Sequence, residues 1–409
     1  MKHLTRRILC FILMGGIFMS AAFPSFAEFY NDPVPNELTS LRDAPLADKY
    51  RKLFSYEHMT ADGFTAELSY RLYVPADYDP NRAYPVLLFL HGAGENGGGK
   101  DENEKQLNVG MMNEFFSRGY FEKFPCLIIA PQTRNEPKNF TGEWVNTPWT
   151  KGSYKIDVSG ETCGTFTENI QLAKMAVDKT IADYHVDTDR IYVTGISMGG
   201  YGTWNIITHY NDFFAAAIPV CGGGDPSKAD RLVNMPIWCF HGDQDGGLAV
   251  PVTGTRDMYT AIVAAGSTKI NYTEWPGVGH AWLPAYARED VWAWLFAQSK
   301  NPVNTTELAS ALIELKQANL AGMSEEDKLA FDKAFAEAEA VVNGSVAATK
   351  ETVAAAFSSV AAAKALIPAP KKNTVHFPAW GYLGIAGVAV AAGIAVAVGL
   401  KKKAKKTQN

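Results

Sequence analysis

The sequence predicts an α/β fold: a mostly parallel sheet with helices on both faces, followed by a small helical bundle and one membrane-spanning helix. Three observations carry this. Between about residues 50 and 299, short apolar runs alternate with helical stretches. After Asn301-Pro302 the composition turns to Ala, Glu and Lys. Residues 380–400 then form an uncharged apolar run of spanning length.

The chain opens with a basic patch (Lys2, Arg6, Arg7), an apolar stretch over 8–22 and the small-x-small triplet Ser25-Phe26-Ala27. That order reads as a secretory signal peptide over 1–27, its apolar part being too short to span a bilayer. Residues 28–50 read as an irregular, Pro-containing lead-in. The 51–299 segment reads as the catalytic domain. Residues 68–74 alternate polar and apolar with period two, as a half-buried strand does. Residues 86–90, 127–130, 191–194, 216–220 and 237–240 are continuous apolar runs, typical of parallel strands covered on both faces. Residues 270–275 are also strand-like. Helices are expected over 168–184, 201–210, 255–265 and 288–298.

Three amphipathic helices are expected in 303–367. Their apolar stripes are Leu308, Leu312 and Leu315, then Phe331, Phe335 and Ala338, then Val353, Phe357 and Val360. Ser324 with Asp327 makes a capping pair. A Pro-flanked linker, 368–379, leads to the span at 380–400. Trp380 and Tyr382 suit one membrane interface and the lysine-rich tail 401–409 suits the cytoplasmic side. No LPxTG precedes the span, so it is expected to stay as an anchor.

The formal charge of −5 hides an asymmetry, because the first 27 residues carry +3 and the last nine +5, leaving −13 for the middle. So acidic a body disfavours nucleic acid as a partner. Past the signal peptide stand Cys126, Cys163, Cys221 and Cys239, too few in so long a chain for a disulfide framework and not at metal-ligand spacing.

Gly195-Ile196-Ser197-Met198-Gly199 fits G-x-S-x-G, a weak pattern by composition alone. It becomes informative because it lies between an apolar strand and a helix, where glycines let a strained serine project from the sheet edge. A serine nucleophile needs a base held by a carboxylate. His280, in Gly277-Val278-Gly279-His280, is the best base. Asp243 and Asp245, just after the 237–240 strand, compete as the acid, with Asp225 third. Met198 N–H and a backbone donor in His91-Gly92-Ala93-Gly94, Ala93 being preferred, would form the oxyanion hole. His91 and His241 each precede Gly at a strand end, a setting for structural hydrogen bonds. Gly94 to Lys100 also matches the glycine-lysine part of a phosphate loop, but Asp101 stands where Ser or Thr is needed.

At these motifs the chain resembles the bacterial carboxylesterase branch of the α/β-hydrolases, which includes feruloyl-esterase-like, acetyl-xylan-esterase-like and polyhydroxybutyrate-depolymerase-like enzymes. The matching segments run from Tyr84 to Gly97, over Ala130-Pro131-Gln132, from Thr194 to Trp204, and through the histidine block ending at Trp282. In that family the acid is the second aspartate of an H-G-x-x-D segment followed by V-P. The resemblance therefore implies Asp245, with Val250-Pro251 behind it. Asn96 stands where relatives often have Arg. Residues 303–367 resemble FIVAR-type three-helix modules of Gram-positive surface proteins, although aromatic positions are sparse, so a spacer role stands beside glycan contact. The combined expectation is an extracellular, membrane-anchored serine carboxylesterase with the triad Ser197, Asp245 and His280. Its substrate would be a small-molecule or polysaccharide ester, and no metal or organic cofactor is implied. A prolyl-oligopeptidase-like peptidase and a surface glycan-binding protein with a vestigial hydrolase domain are the rival readings. Trp144, Trp149 and Trp282 are candidates for an aromatic subsite, with burial in the core the blander expectation for at least one of them.

Overall fold

The computed structural model describes residues 28–30, 46–97, 104–108, 110–134, 144, 166–246, 250–281, 283–343, 346 and 348–368. The expected signal peptide, membrane span and basic tail lie outside the described residues, as do Cys163, Trp149 and Trp282 and nearly all of the linker. Among the described residues no helix is long and apolar enough to cross a membrane.

The described strands are β1 (Glu28–Tyr30), β2 (Phe54–Met59), β3 (Leu68–Tyr73), β4 (Tyr84–Leu90), β5 (Leu127–Gln132), β6 (Val186–Ile196), β7 (Ala216–Val220), β8 (Ile237–Gly242) and β9 (Ile270–Trp275). They form one sheet in the order β1-β9-β8-β7-β6-β4-β5-β3-β2. Only β3 runs against its neighbours, β2 and β5; the other pairings are parallel. Even in the fully apolar β4 the side chains divide by the two-residue period. Val86, Leu88 and Leu90 enter one core layer, while Leu87 and Phe89 enter the other. The first layer is completed by α2 (Glu168–Asp183), α3 (Met198–His209) and α4 (Thr253–Ala264), the second by α1 (Gly110–Ser117) and α5 (Glu289–Ala297). The sheet is thus covered on both faces, as expected.

Two differences have physical causes. Glu28–Tyr30 is not irregular but pairs with β9 at the sheet edge; three residues carry too little period to be seen in sequence. Helix α3 begins at Met198, three residues before the expected start. Met-Gly-Gly-Tyr-Gly has poor helix propensity, but its glycines are demanded by packing. A Cβ on Gly200 would lie 2.4 Å from Val220 O, and one on Gly202 would lie 2.7 Å from Trp144 Cβ.

The C-terminal helices are α6 (Thr306–Lys316), α7 (Glu325–Val342) and α8 (Lys350–Leu366). Leu308, Leu312, Leu315, Phe331, Ala338, Val353 and Val360 form their shared core, with Phe335 packed at its edge. Phe357 departs from the expected stripe: it is 38% exposed, and Ala356 is buried beside it. In an alanine-rich helix the apolar stripe has no sharp edge, so its phase cannot be read to one residue. Ser324 accepts the Asp327 N–H at 3.0 Å, and Thr349 and Thr352 cap each other reciprocally.

Candidate active site

The C-terminal ends of the parallel strands gather the reactive side chains on one edge, where α/β sheets place their sites. Ser197 links the end of β6 to α3 with φ 54° and ψ −117°, a strained conformation for a residue with a side chain. The turn is possible because its flanks are glycine. A Cβ at Gly195 would lie 2.3 Å from Gly199 O, and one at Gly199 would lie 1.9 Å from Leu90 O. The Ser197 N–H donates to Val220 O at 3.0 Å, which pins the turn to β7. Met198 opens α3, so its N–H is among the first-turn amides that have no carbonyl partner within the helix.

The loop after β4 is anchored from three sides. His91 Nδ1–H donates to Gly92 O at 2.6 Å, and Thr133 N–H donates to His91 Nε2 at 3.0 Å. Trp144 Nε1–H donates to His91 O at 3.0 Å. Burial pushes His91 down to about 4, so the ring is neutral at physiological pH. Asn96, the departure from the family pattern, is buried and accepts from Thr133 Oγ1 at 2.8 Å. It fastens the loop to the end of β5. Ala93 begins the short turn Ala93–Glu95 on the exposed lip. Trp144 is fully buried with its ring 5.2 Å from that of His91, which makes it a brace for this loop and not the wall of an open subsite. Lys100 and Asp101, the residues that decide the phosphate-loop alternative, are outside the described residues.

The three candidate acids have different fates. Asp245 is buried, and its Oδ2 lies 2.5 Å from His280 Nδ1 and 3.1 Å from His241 Nε2. Asp243 instead accepts the Gly277 N–H at 2.7 Å and so holds the loop that carries His280. Asp225 caps a short helical turn through Ser227 N–H. Burial by itself would raise Asp245, but hydrogen bonds from His241 and His280 outweigh it and hold the carboxyl below its ordinary range. Burial would likewise lower His280; the Asp245 carboxylate overcomes it, with help from the neighbouring Cys221, and raises the imidazole well above its ordinary value.

Cys221 is a neighbour that the sequence reading passed over. It follows β7 directly, where β7 is in register with β6 through Ile196 and Val220, and so stands beside Ser197. Its φ is 47°, its S–H donates to Ala281 O at 2.9 Å, and its sulfur lies within 4.8 Å of the ligand atoms of Asp245 and His280. The signal available in sequence was its position one residue past an apolar run, at the same sheet level as the serine. These three donors could face a soft cation only at the expense of the Asp245–His280 hydrogen bond.

Comparison with known proteins agrees with this architecture. The model of the prolyl oligopeptidase family matches residues 171–231, from α2 to the turn beyond β7. A bifunctional acetylxylan esterase/xylanase of Neocallimastix patriciarum is 29% identical over 209 residues, 49% of this chain and 25% of that protein. Dipeptidyl-peptidase 5 of Porphyromonas gingivalis is 28% identical over 149 residues, 36% of this chain and 18% of that protein. The chain thus matches a quarter or less of these curated relatives. A solved structure of a thermostable esterase is 33% identical with a TM-score of 0.53, covering 61% of this chain and 64% of that one. Fold and relatives together support an α/β-hydrolase-like architecture, similar to that of esterases and peptidases.

Proposed function

We propose that the chain is a serine carboxylesterase that transfers an acyl group from an ester to water. The observation that carries this reading is the 2.5 Å contact between Asp245 Oδ2 and His280 Nδ1, at the strand ends where Ser197 is held in its strained turn. With Nδ1–H committed to the carboxylate, His280 Nε2 is the nitrogen that acts as base. It takes the Ser197 proton as Oγ attacks the ester carbonyl, and Asp245 stabilises the imidazolium that forms. The tetrahedral oxyanion rests on the N–H groups of Met198 and Ala93. Collapse expels the alcohol, which takes the proton from His280, and water repeats the sequence on the acyl-serine.

The acetylxylan esterase among the relatives favours acetyl esters on carbohydrate as the substrate class, and the motif resemblance adds feruloyl esters. The peptidase reading is supported by the prolyl oligopeptidase match and by Dipeptidyl-peptidase 5. Ester against amide turnover decides between them. The amino-terminal and carboxyl-terminal patterns support a cell-surface location, with the domain outside the membrane and the three-helix module as a spacer. Ser197→Ala should abolish hydrolysis of p-nitrophenyl acetate and labelling by a fluorophosphonate probe while leaving the fold intact. Undiminished turnover would refute the nucleophile.

A further inference from the structure

His241 is fully buried at the end of β8, and the transfer of the Ser197 proton does not use it. Both its ring nitrogens are engaged. Nε2 faces Asp245 Oδ2 and Val250 O, each at 3.1 Å. Nδ1 lies 2.8 Å from Thr255 Oγ1, and that hydroxyl donates to Gly222 O at 2.7 Å. A hydroxyl has one proton. If Thr255 gives it to Gly222 O, it offers only a lone pair to His241, so Nδ1 must carry hydrogen. A carboxylate and a carbonyl both demand hydrogen on Nε2. The neutral ring would set two buried acceptors against each other at one nitrogen or the other, an uncompensated cost that folded proteins avoid.

We propose that His241 is an imidazolium, protonated at both ring nitrogens, that acts as a positioning residue holding the Asp245 carboxylate toward His280 and balancing its charge. The proposal rests on the reading of Asp245 and His280 as acid and base. The charges facing His241 from each side are consistent with it. On β9, Glu274 is its register partner, and that carboxylate is gripped by Arg256 of α4 at 2.8 Å through two nitrogens and by Tyr272 O–H at 2.6 Å. On β8 itself, burial pushes the Cys239 thiol up, so it stays neutral. Across Asp245 stand His280 and Cys221. Two carboxylates, Asp245 and Glu274, therefore face one arginine and His241. A cationic His241 closes that balance and opposes the pull of Asp245 on the His280 proton. A neutral His241 would leave that pull unopposed, and His280 would hold its proton to higher pH.

The test uses the full chain labelled with 15N at histidine alone. At neutral pH the wild-type spectrum should contain a histidine with both nitrogens in the protonated range that is absent from the spectrum of folded His241→Gln. That variant keeps an N–H donor toward Asp245 but no charge. Its acid limb of kcat/KM should move upward by about one to two pH units, the size of a unit charge lost at close range in a partly buried site. A purely structural role would lower activity without moving the limb. Thr255→Val, which removes the oxygen that accepts from Nδ1, should move the limb the same way if His241→Gln does not fold. An unprotonated ring nitrogen on wild-type His241, or an acid limb unmoved in either folded variant, overturns the proposal. The nitrogen spectrum needs no turnover. Failure of the serine reading would instead show as hydrolysis surviving Ser197→Ala.

Discussion

Two His-Gly pairs stand at the ends of parallel strands, His91-Gly92 after β4 and His241-Gly242 closing β8. Both histidines are fully buried, and each has both ring nitrogens engaged. Their neighbours differ in one respect. His91 meets an acceptor at Nδ1, Gly92 O, and a donor at Nε2, Thr133 N–H, which is the pattern of a neutral ring. His241 meets an acceptor carboxylate at Nε2 and, at Nδ1, a hydroxyl whose proton is directed elsewhere. The same dipeptide at the same kind of strand end thus stands at two ends of the proposed reaction. Around His91 it stiffens the loop proposed to bind the oxyanion; around His241 it faces the acid. The hydrogen-bonding character of the partners, not burial, separates the two.

The comparison is broken most forcefully on the β8 side. Asp245→Asn replaces the acceptor that faces two histidines with an amide that would present N–H to one of them. The turnover of p-nitrophenyl acetate should fall by roughly 10³- to 10⁴-fold, as when the orienting acid of a triad is lost. Asp243→Asn keeps an oxygen for the Gly277 N–H, so its loss should stay within about tenfold. Steady-state kinetics on the two variants checks the order, and a reversed order would transfer the acid role to Asp243.

On the β4 side the effects are smaller and of another kind. His91→Asn removes a ring that ties Gly92 to Thr133, so the oxyanion donors should lose alignment. A fall in kcat on the order of 10- to 100-fold, with less change in KM, is expected, below the loss for deleting a donor outright. The same histidine gives the protein an acid weakness. Its folded value of about 4 lies below the ordinary 6.5, so between those two values the unfolded chain binds the proton and the native state does not. Stability is then lost as pH falls from about 6.5 to about 4, by up to about 3 kcal/mol. Urea denaturation at a series of pH values should show this slope in the wild type and a shallower one in His91→Asn.

Much of this was legible in sequence, and unevenly so. The apolar runs of β4 to β8 announced themselves because strands covered on both faces leave few polar positions to confuse the period. Strands β1 and β2 did not: one is three residues long, and Phe54–Met59 buries only its two ends. The glycines around Ser197 were visible, while their reason, backbone approach to β4 and β7, was not. Asp245 was favoured over Asp243 by resemblance alone. The physical ground is that a two-residue offset in the turn sends one carboxylate to His280 and the other to Gly277. Cys221 was invisible because its importance depends on register between β6 and β7, a non-local fact. Trp144 could not be assigned to cleft or core for the same reason, since nothing local tells a tryptophan lining a cleft from one buried against His91.

Trp144 supplies the mildest and most discriminating perturbation. Trp144→Phe keeps most of the ring that packs edge-on to His91 and deletes only the Nε1–H that donates to His91 O. A buried carbonyl losing one donor costs about 1 kcal/mol, so the midpoint of urea unfolding should fall slightly. Turnover should fall by only a few-fold, because the ring bonds of His91 to Gly92 and Thr133 remain. The β8 counterpart, Thr255→Val, also deletes one hydroxyl beside a buried histidine. If partner character sets the two roles, Trp144→Phe should leave the pH dependence of kcat/KM where it was, while Thr255→Val moves its acid limb. Equal shifts in both variants would mean that the two strand ends respond alike to a loosened scaffold, and the electrostatic distinction between them would fall.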